Sequence, residues 1–568
     1  MLPVRPENPP NTLIDCARYL ADHAADRPAL TLVAPGETQT ITFGAFFEQA
    51  ARYAHALEQA GVQPHDLVVL VLQHGDDVLY GFWGAMLLGA VPSIFPFLTP
   101  KLDPERYFAS VRALVELSEV KAVITYPELR DELANHLADI PTLGAILNVK
   151  DLTPAGQLAD YVDRAPSRPE DTAFLQHSSG STGLQKGVML SHGAVLNQVM
   201  AYSQAIALSP DDVIVSWLPL YHDMGLIAGF IMPVIQGLHL VLMSPFDWVR
   251  DPRMLLNAVH EHQGTLCWLP NFAYNFLATR IDDDALNGLR LNSLRAVINC
   301  SEPVRDDSHR VFAERFIPYG LPESALATCY AMAENTFAVT QTPAGVAPTV
   351  DMVDRNSLME QRIAQPALNG NIPTVSLVSC GSPIPNTEVR IVDAERQTLP
   401  ERHVGEIALR GDCMLSGYYR RPEATEQAMH DGWYFTGDLG YLASGELYIT
   451  GRQKDLIIVG GKNIYPQDIE NLVNSVDGVH PGRTVAFGVL NEALGTEDIA
   501  VIAEIERDDV QTRAQVMREI RSRVAQSTDT MVRYVHLVGP KWLIKTSSGK
   551  IARAANRQKF LDEVLHKD

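Results

Sequence analysis

At 568 residues the chain is too long for a single hydrophobic core, so two or more domains are expected. Hydrophobic residues make up 46% and charged residues 20%, an ordinary globular balance. A formal net charge of −22 argues against nucleic acid or an anionic membrane as a main partner.

Six cysteines, Cys16, Cys267, Cys300, Cys329, Cys380 and Cys413, show neither CxxC spacing nor clustering with histidine. That pattern fits buried thiols rather than a disulfide framework or a zinc site. The opening segment MLPVRPENPPNTLID lacks the apolar core of a signal peptide, so a cytoplasmic location is expected. Residues 224–246 carry no Asp, Glu, Lys or Arg, but Pro233, Gln236, Gly237, His239 and Pro245 interrupt them. A buried helix, a turn and a buried strand are expected there, with no transmembrane segment.

Helices and short apolar strands alternate along the first part. Residues 43–60 place Phe46, Phe47, Ala50, Ala54 and Leu57 on one helical face, and Gly61 ends the helix. The run LVVLVLQ after Asp66 reads as a strand buried on both faces. A helix near 77–89, the run VPSIFPF, a helix over 104–117 and the run AVIT follow. This order predicts an α/β fold with parallel or mixed sheets flanked by helices.

Residues 173–197 read AFLQHSSGSTGLQKGVMLSHGAVLN. Ser178, Ser179, Gly180, Ser181, Thr182 and Gly183 stand in succession, and Lys186 follows closely. Exposed backbone N–H groups, hydroxyls and a cation suit a polyphosphate, although a plain Gly/Ser turn has the same composition. The Walker loop is excluded, because it ends Gly-Lys-Ser/Thr and opens directly into a helix. Here a β-like run follows Lys186, and a helix begins near Ser191, a suitable N-cap.

Further along, His222 and Asp223 follow the apolar run IVSWLPLY, where a strand end would open a pocket. A histidine there serves either structure or chemistry. Glu334 follows the β-like run ATCYA. A carboxylate beside a polyphosphate needs an intervening cation, which makes Glu334 a magnesium-ligand candidate with Thr182 nearby, or else a solvated surface residue. Asp438, in Thr436-Gly437-Asp438, can accept hydrogen bonds from both hydroxyls of a ribose, or belong to an Asp-Leu-Gly turn. From about residue 455 onward, β-runs TVAFGVL and IAVIAEI and a helix near 512–525 describe a small α+β module.

Five segments, in this order, resemble motifs of the adenylate-forming superfamily, which includes acyl-CoA synthetases, fatty acyl-AMP ligases, peptide-synthetase adenylation domains and luciferases. HSSGSTGLQKG is similar to the family's phosphate loop, with His177-Ser178 and Gln185 as departures. YAMAE, from Tyr330 to Glu334, is similar to its YGxxE, with Ala331 in place of Gly. TGD places Asp438 at the ribose. GRQKD gives Arg452 a ribose and phosphate contact and Lys454 the hinge position, and IKTSSGKIAR carries Lys550 as the catalytic lysine. Outside these five, WLPLYHDMGLI resembles a segment lining the acyl and adenylate pocket, which makes His222 a catalytic candidate. PNFAYNFL resembles a stretch bordering the acyl tunnel, and Ser301-Glu302-Pro303 the adenine side.

The resemblance implies an N-terminal adenylation domain, 1–453, with an insertion at about 341–378, and a mobile C-terminal domain, 454–568. It implies ATP and magnesium, and activation of a carboxylic acid of the fatty type to acyl-AMP with release of pyrophosphate, with Lys186 and Lys550 as the cations. Rotation about Lys454 would then deliver the acyl group to a thiol. That thiol belongs to the phosphopantetheine arm of an acyl carrier protein in trans, or to coenzyme A. Gly381 stands 47 positions after Glu334. The segment TVDMVDRNSLMEQRI between them resembles the insertion of fatty acyl-AMP ligases, and NIYPQDIE and FAERFIPYG point to the same group. A strand at 349–353 and a helix capped by Asp354, with Leu358, Met359 and Ile363 on one face, are expected to dock on the large domain. An acyl-CoA synthetase is the alternative, and a catalytically silent nucleotide-binding regulator is a reading of a different class.

Overall fold

Helix starts follow local capping chemistry in the computed structural model, which describes residues 10–99, 102–152, 155–162, 164, 168–178, 186–367, 373–459, 462–491, 496–506, 509–528, 531–546 and 549–565. Thr12 and Asp15 form a capping box on the helix Leu13–His23. Thr42 caps Phe43–Gln59, Asp103 caps Pro104–Leu117 and Ser191 caps His192–Ala205. In each case the side chain accepts from the backbone N–H three residues on.

Leu67–Val71 is buried at every position, as a strand covered on both faces must be. It pairs in parallel with Val91–Ile94 and with Ala122–Thr125. Among the described residues these strands belong to a seven-stranded sheet that also holds Thr172–Ser178, Lys186–Ser191 and Gly417–Tyr418. Over it, the helix Asp76–Leu87 packs on Phe43–Gln59 through Gly84. A Cβ at that position would stand 2.6 Å from the Ala50 carbonyl oxygen.

A second sheet has nine strands among the described residues. Its central strands Val213–Ser216, Leu266–Leu269, Ala296–Asn299 and Leu326–Ala331 run parallel. Their carboxyl ends therefore share one edge, which is where such sheets place ligands. An antiparallel sheet follows, with Thr387–Val392, Gly405–Gly411, Trp433–Ala443 and Glu446–Arg452. Beyond it, Val479–Asn491, Thr496–Ile505 and Val532–Val538 form a separate sheet. This sheet packs the helices Pro466–Asn474 and Val510–Thr528 around Ile469, Val501, Ile520 and Leu537. The expected pairing of a large mixed α/β part with a small α+β part is present.

The apolar stretch at 224–246 lies in the core. Met224–Ile231 winds as a π-helix rather than an α-helix, and His239–Met243 is the strand. Among the described residues no helix is long and apolar enough to cross a membrane. The six cysteines are free and buried. Burial pushes the Cys16, Cys267, Cys380 and Cys413 thiols up to about 12, so they are poor nucleophiles.

The insertion departs from expectation. Val350–Asp354 pairs antiparallel with Thr374–Val378, and Asp354 caps the next segment through the Asn356 and Ser357 N–H groups. That segment is one π-type turn, Ser357–Gln361, ended by Arg362 at φ 56°. It is too short to align three apolar residues, and Ile363 bridges His403 instead. Docking is split as well. Val353 and Leu358 pack with Tyr441 and Tyr448 of the large part, whereas Met359 packs with Ile457 and Ile464 of the small part. Asn463 donates to the Met359 carbonyl at 3.2 Å, and Lys462 pairs with Glu360 at 3.2 Å.

Candidate active site

Thr172–Ser178 and Lys186–Ser191 form an antiparallel pair with Ser178 opposite Lys186. Ser179, Gly180, Ser181, Thr182 and Gly183, the centre of the expected phosphate loop, lie outside the described residues. At its entrance His177 Nδ1 stands 2.8 Å from the Ser93 hydroxyl, and burial lowers this histidine to about 4, so it is neutral. Lys186 Nζ lies 4.6 Å from the centre of the Tyr418 ring.

Glu334 follows Leu326–Ala331 in the turn Ala333–Asn335 and is only 9% exposed, which removes the surface reading. The Tyr418 hydroxyl donates to its Oε1 at 2.9 Å. Burial raises Glu334 above the usual carboxylate range. The Tyr418 bond opposes that rise, and nearby Asp223 and Asp438 add to it. A buried carboxylate that feels the charge of two others favours a cation nearby. Among the described residues, no three His, Cys, Asp or Glu side chains converge on a metal site. A hard oxygen donor without a protein cage suits magnesium, which takes one or two carboxylates and completes its shell with phosphates and water.

Asp438 sits within the strand Trp433–Ala443, not in a turn. Its Oδ2 accepts from the Tyr330 hydroxyl at 2.7 Å, and its Oδ1 from Arg452 Nε at 3.0 Å. Arg452 is its cross-strand neighbour. Two residues on, Lys454 occupies the 3-10 turn Gln453–Asp455, where loss of water and then Arg452 lower its pKa.

The strand Ala296–Asn299 leads into Ser301, whose φ of 70° is uncommon for a residue with a side chain. The Ser301 carbonyl accepts from Lys550 Nζ at 2.7 Å. Glu302 Oε2 accepts from the Phe272 N–H at 3.0 Å, and Pro303 is exposed beside it. Underneath, Asn299 Nδ2 lies 3.0 Å from both Asn271 Oδ1 and His309 Nε2, which anchors the turn. His222 is half-buried, and its buried Nε2 meets no hydrogen-bond partner among the described residues. Burial and then the Lys550 cation lower it to about 3, so it is neutral. Asp223 accepts from the Met224 N–H at 2.8 Å and feels both Lys550 and Glu334.

The expected residues thus gather as a hydrogen-bonded trio (Tyr330, Asp438, Arg452), a carboxylate and lysine (Glu334, Lys186), and the far lysine against Ser301 and His222. Tyr418 and Tyr434 were not foreseen. A two-residue strand such as Gly417–Tyr418 carries no periodic signal, and only sheet pairing with Met189 and Val188 brings it to the site.

Residues 17–419 match the family model described as AMP-binding enzyme. A protein of Caulobacter vibrioides (strain NA1000 / CB15N), provisionally named an acyl-CoA synthetase, is 30% identical over 570 residues, 97% of each chain. The medium-chain-fatty-acid–[acyl-carrier-protein] ligase JamA of Moorena producens (strain JHB) is 31% identical over 583 residues, 98% of this chain and 96% of its own. A structure solved in a study of fatty acyl-adenylate ligases from E. coli and L. pneumophila superposes with a TM-score of 0.89 at 28% identity, covering 98% of each chain. The chain belongs to the AMP-binding enzymes, the adenylate-forming superfamily, and within it lies close to the fatty acyl-AMP ligases.

Proposed function

We propose that the chain joins a fatty or other carboxylic acid to AMP and then passes the acyl group to the phosphopantetheine thiol of an acyl carrier protein. The observation that carries this reading is the reach of Lys550, across 249 positions of sequence, to the Ser301 carbonyl. Asp223 and Glu334 connect that point electrostatically to Asp438.

A carboxylate and a triphosphate repel each other, and charge grows on the phosphoryl oxygens as they react. Fixed positive charge is therefore the main requirement. The substrate carboxylate oxygen attacks the α-phosphorus, and pyrophosphate leaves with the electron pair of the broken bond. Lys550 holds the carboxylate and the α-phosphate, while Lys186 and the loop 178–183 receive the β- and γ-phosphates. Glu334, with Thr182, would hold magnesium, which when bound neutralises phosphate charge as a Lewis acid. Asp438 takes the ribose hydroxyls with Arg452 beside it, and Tyr330 and Ser301-Glu302-Pro303 border the adenine. His222 stays neutral and lends a hydrogen bond rather than a charge. No protein nucleophile is needed.

For the second step Lys550 must withdraw. The reading places a domain boundary at 453/454 and a hinge at Lys454. The insertion grips both sides of that hinge, through Leu358 and Met359, and opposes the rotation. A carrier protein brings interface energy that offsets this grip, and free coenzyme A does not. The setting is the cytoplasm, where a carrier and ATP meet. The name of the Caulobacter relative favours a second reading, an acyl-CoA synthetase. Mass spectrometry of products from ATP, magnesium and a fatty-acid panel separates them. Persistent acyl-AMP beside coenzyme A, consumed by a carrier bearing its phosphopantetheine arm, supports the proposal. Rapid acyl-CoA formation transfers it to the second reading, and absence of acyl-AMP leaves a silent nucleotide-binding regulator.

A further inference from the structure

The reaction outlined above gives Tyr418 no part, yet its side chain touches two members of the site. The hydroxyl donates to Glu334 Oε1 at 2.9 Å and lies 3.1 Å from the Tyr434 hydroxyl. The ring face carries Lys186 Nζ at 4.6 Å. Tyr418 itself is buried.

The backbone fixes this arrangement from both sides. Tyr418 pairs with Val188, two residues beyond Lys186, and the Tyr419 N–H donates to the Gly187 carbonyl at 2.8 Å. On the other side, the Leu415 N–H donates to the Glu334 carbonyl at 2.8 Å. Residues 415–419 are therefore laced both to the strand that starts with the lysine and to the turn that holds the glutamate.

A hydroxyl bound at Oε1 sets the plane of the carboxylate. Besides the carboxylate's own backbone N–H, the Tyr418 hydroxyl is the donor that reaches Glu334 among the described residues, and it occupies Oε1. The remaining lone pairs of the carboxylate face an incoming cation. The aromatic face, meanwhile, gives Lys186 a weak electrostatic seat that a phosphate easily outcompetes. An acidic side chain in this place would bind the lysine too firmly to release it.

We propose that Tyr418 is a positioning residue that couples the two ends of the phosphate site. Its hydroxyl orients Glu334 toward a divalent cation, and its ring holds Lys186 ready for the ATP phosphates. The inference rests on the assignment of Glu334 and Lys186 in the reading above.

The test uses the full chain with Tyr418→Phe, which keeps the ring, and Tyr418→Leu, which removes ring and hydroxyl. Two quantities are read: the magnesium midpoint of acid-dependent ATP–pyrophosphate exchange, and calorimetric ATP binding with and without magnesium. Loss of a hydrogen bond to a charged group should raise the magnesium midpoint of Tyr418→Phe about three- to tenfold, with metal-free ATP binding unchanged. Tyr418→Leu should in addition weaken metal-free ATP binding about threefold, as Lys186 loses its seat. Tyr434→Phe leaves Tyr418 in place and should shift the magnesium midpoint in the same direction but less. An unshifted midpoint in Tyr418→Phe overturns the proposal. So does an equal loss of ATP binding with and without magnesium, which marks a merely structural role. If the wild-type chain shows no exchange, the adenylation reading falls instead, and the calorimetric comparison still decides the role of Tyr418.

Discussion

In the proposed reaction Asp438 and Lys550 serve one site, but they are held by different means. Asp438 lies in a long strand, with Tyr330 on one carboxylate oxygen and its cross-strand neighbour Arg452 on the other. Lys550 comes from the small C-terminal part and meets the Ser301 backbone carbonyl. Behind it, Arg553 donates to Asp455 at 2.6 Å and to both Glu470 oxygens at 2.8 and 3.0 Å. The lysine segment is thereby tied to the turn that contains Lys454. In the proposed cycle one group is fixed to a frame and the other to a lever. A nucleotide contact needed in both half-reactions belongs on the frame, and a cation needed only in the first belongs on something that can leave.

Removing the lever's cation is the largest test of that difference. Lys550→Ala should lower acid-dependent ATP–pyrophosphate exchange by about a hundred- to a thousandfold, while calorimetric ATP binding stays near wild type. Asp438→Asn should do the reverse, raising the ATP KM about tenfold through a lost charged acceptor. Matching losses of binding and exchange in both variants would erase the distinction between frame and lever.

Next in size is Glu334→Gln, which keeps volume and removes charge. Exchange should fall about tenfold and recover in part at high magnesium, since mass action refills a weakened site. An unaltered magnesium dependence would take Glu334 out of the metal's shell. Lys454→Pro then addresses the lever alone. Restricting this backbone should leave acyl-AMP formation within about twofold and slow transfer to the thiol several-fold. Equal slowing of both half-reactions would make Lys454 structural.

The smallest expected effect concerns where the two parts meet. Burial pushes Asp468 up to about 6, against the pull of Arg355 from the insertion and Arg305 from the large part, with Glu470 adding slightly. Its folded-state value lies above the ordinary 3.8, so the folded chain binds this proton more tightly. The stability it contributes is present below about pH 4 and is lost as pH rises through about 6. Asp468→Asn should therefore melt about 2 °C above wild type at pH 7.5 and by less than half that margin near pH 4.5. The same difference at both pH values would refute a titrating Asp468.

Much of the frame was legible because its signals are local. The fully apolar Leu67–Val71, the capped Pro104–Leu117 and the Ser191 cap follow from periodicity and capping alone. The motif residues Asp438, Arg452 and Lys550 were found by resemblance, and sheet register and chain reach then brought each of them to the site. What escaped depends on distant chain segments. The π-winding of Met224–Ile231 goes with a close pass, since a Cβ on Gly225 would stand 2.2 Å from the Pro219 carbonyl oxygen. The neutrality of His222 owes part to Lys550, which arrives from near the end of the sequence. In the insertion, the helical spacing of Leu358, Met359 and Ile363 predicts a helix where the chain makes a single turn. Arg362 ends the turn before that spacing can act.

If the assembled cleft makes acyl-AMP, ATP–pyrophosphate exchange with the purified chain measures that step directly. Exchange should require both a fatty acid and magnesium, and should continue when coenzyme A is added, because the adenylate is not drained to it. Exchange absent for every acid in a panel of short to long chains would exclude adenylation by this cleft, whatever nucleotide the protein binds.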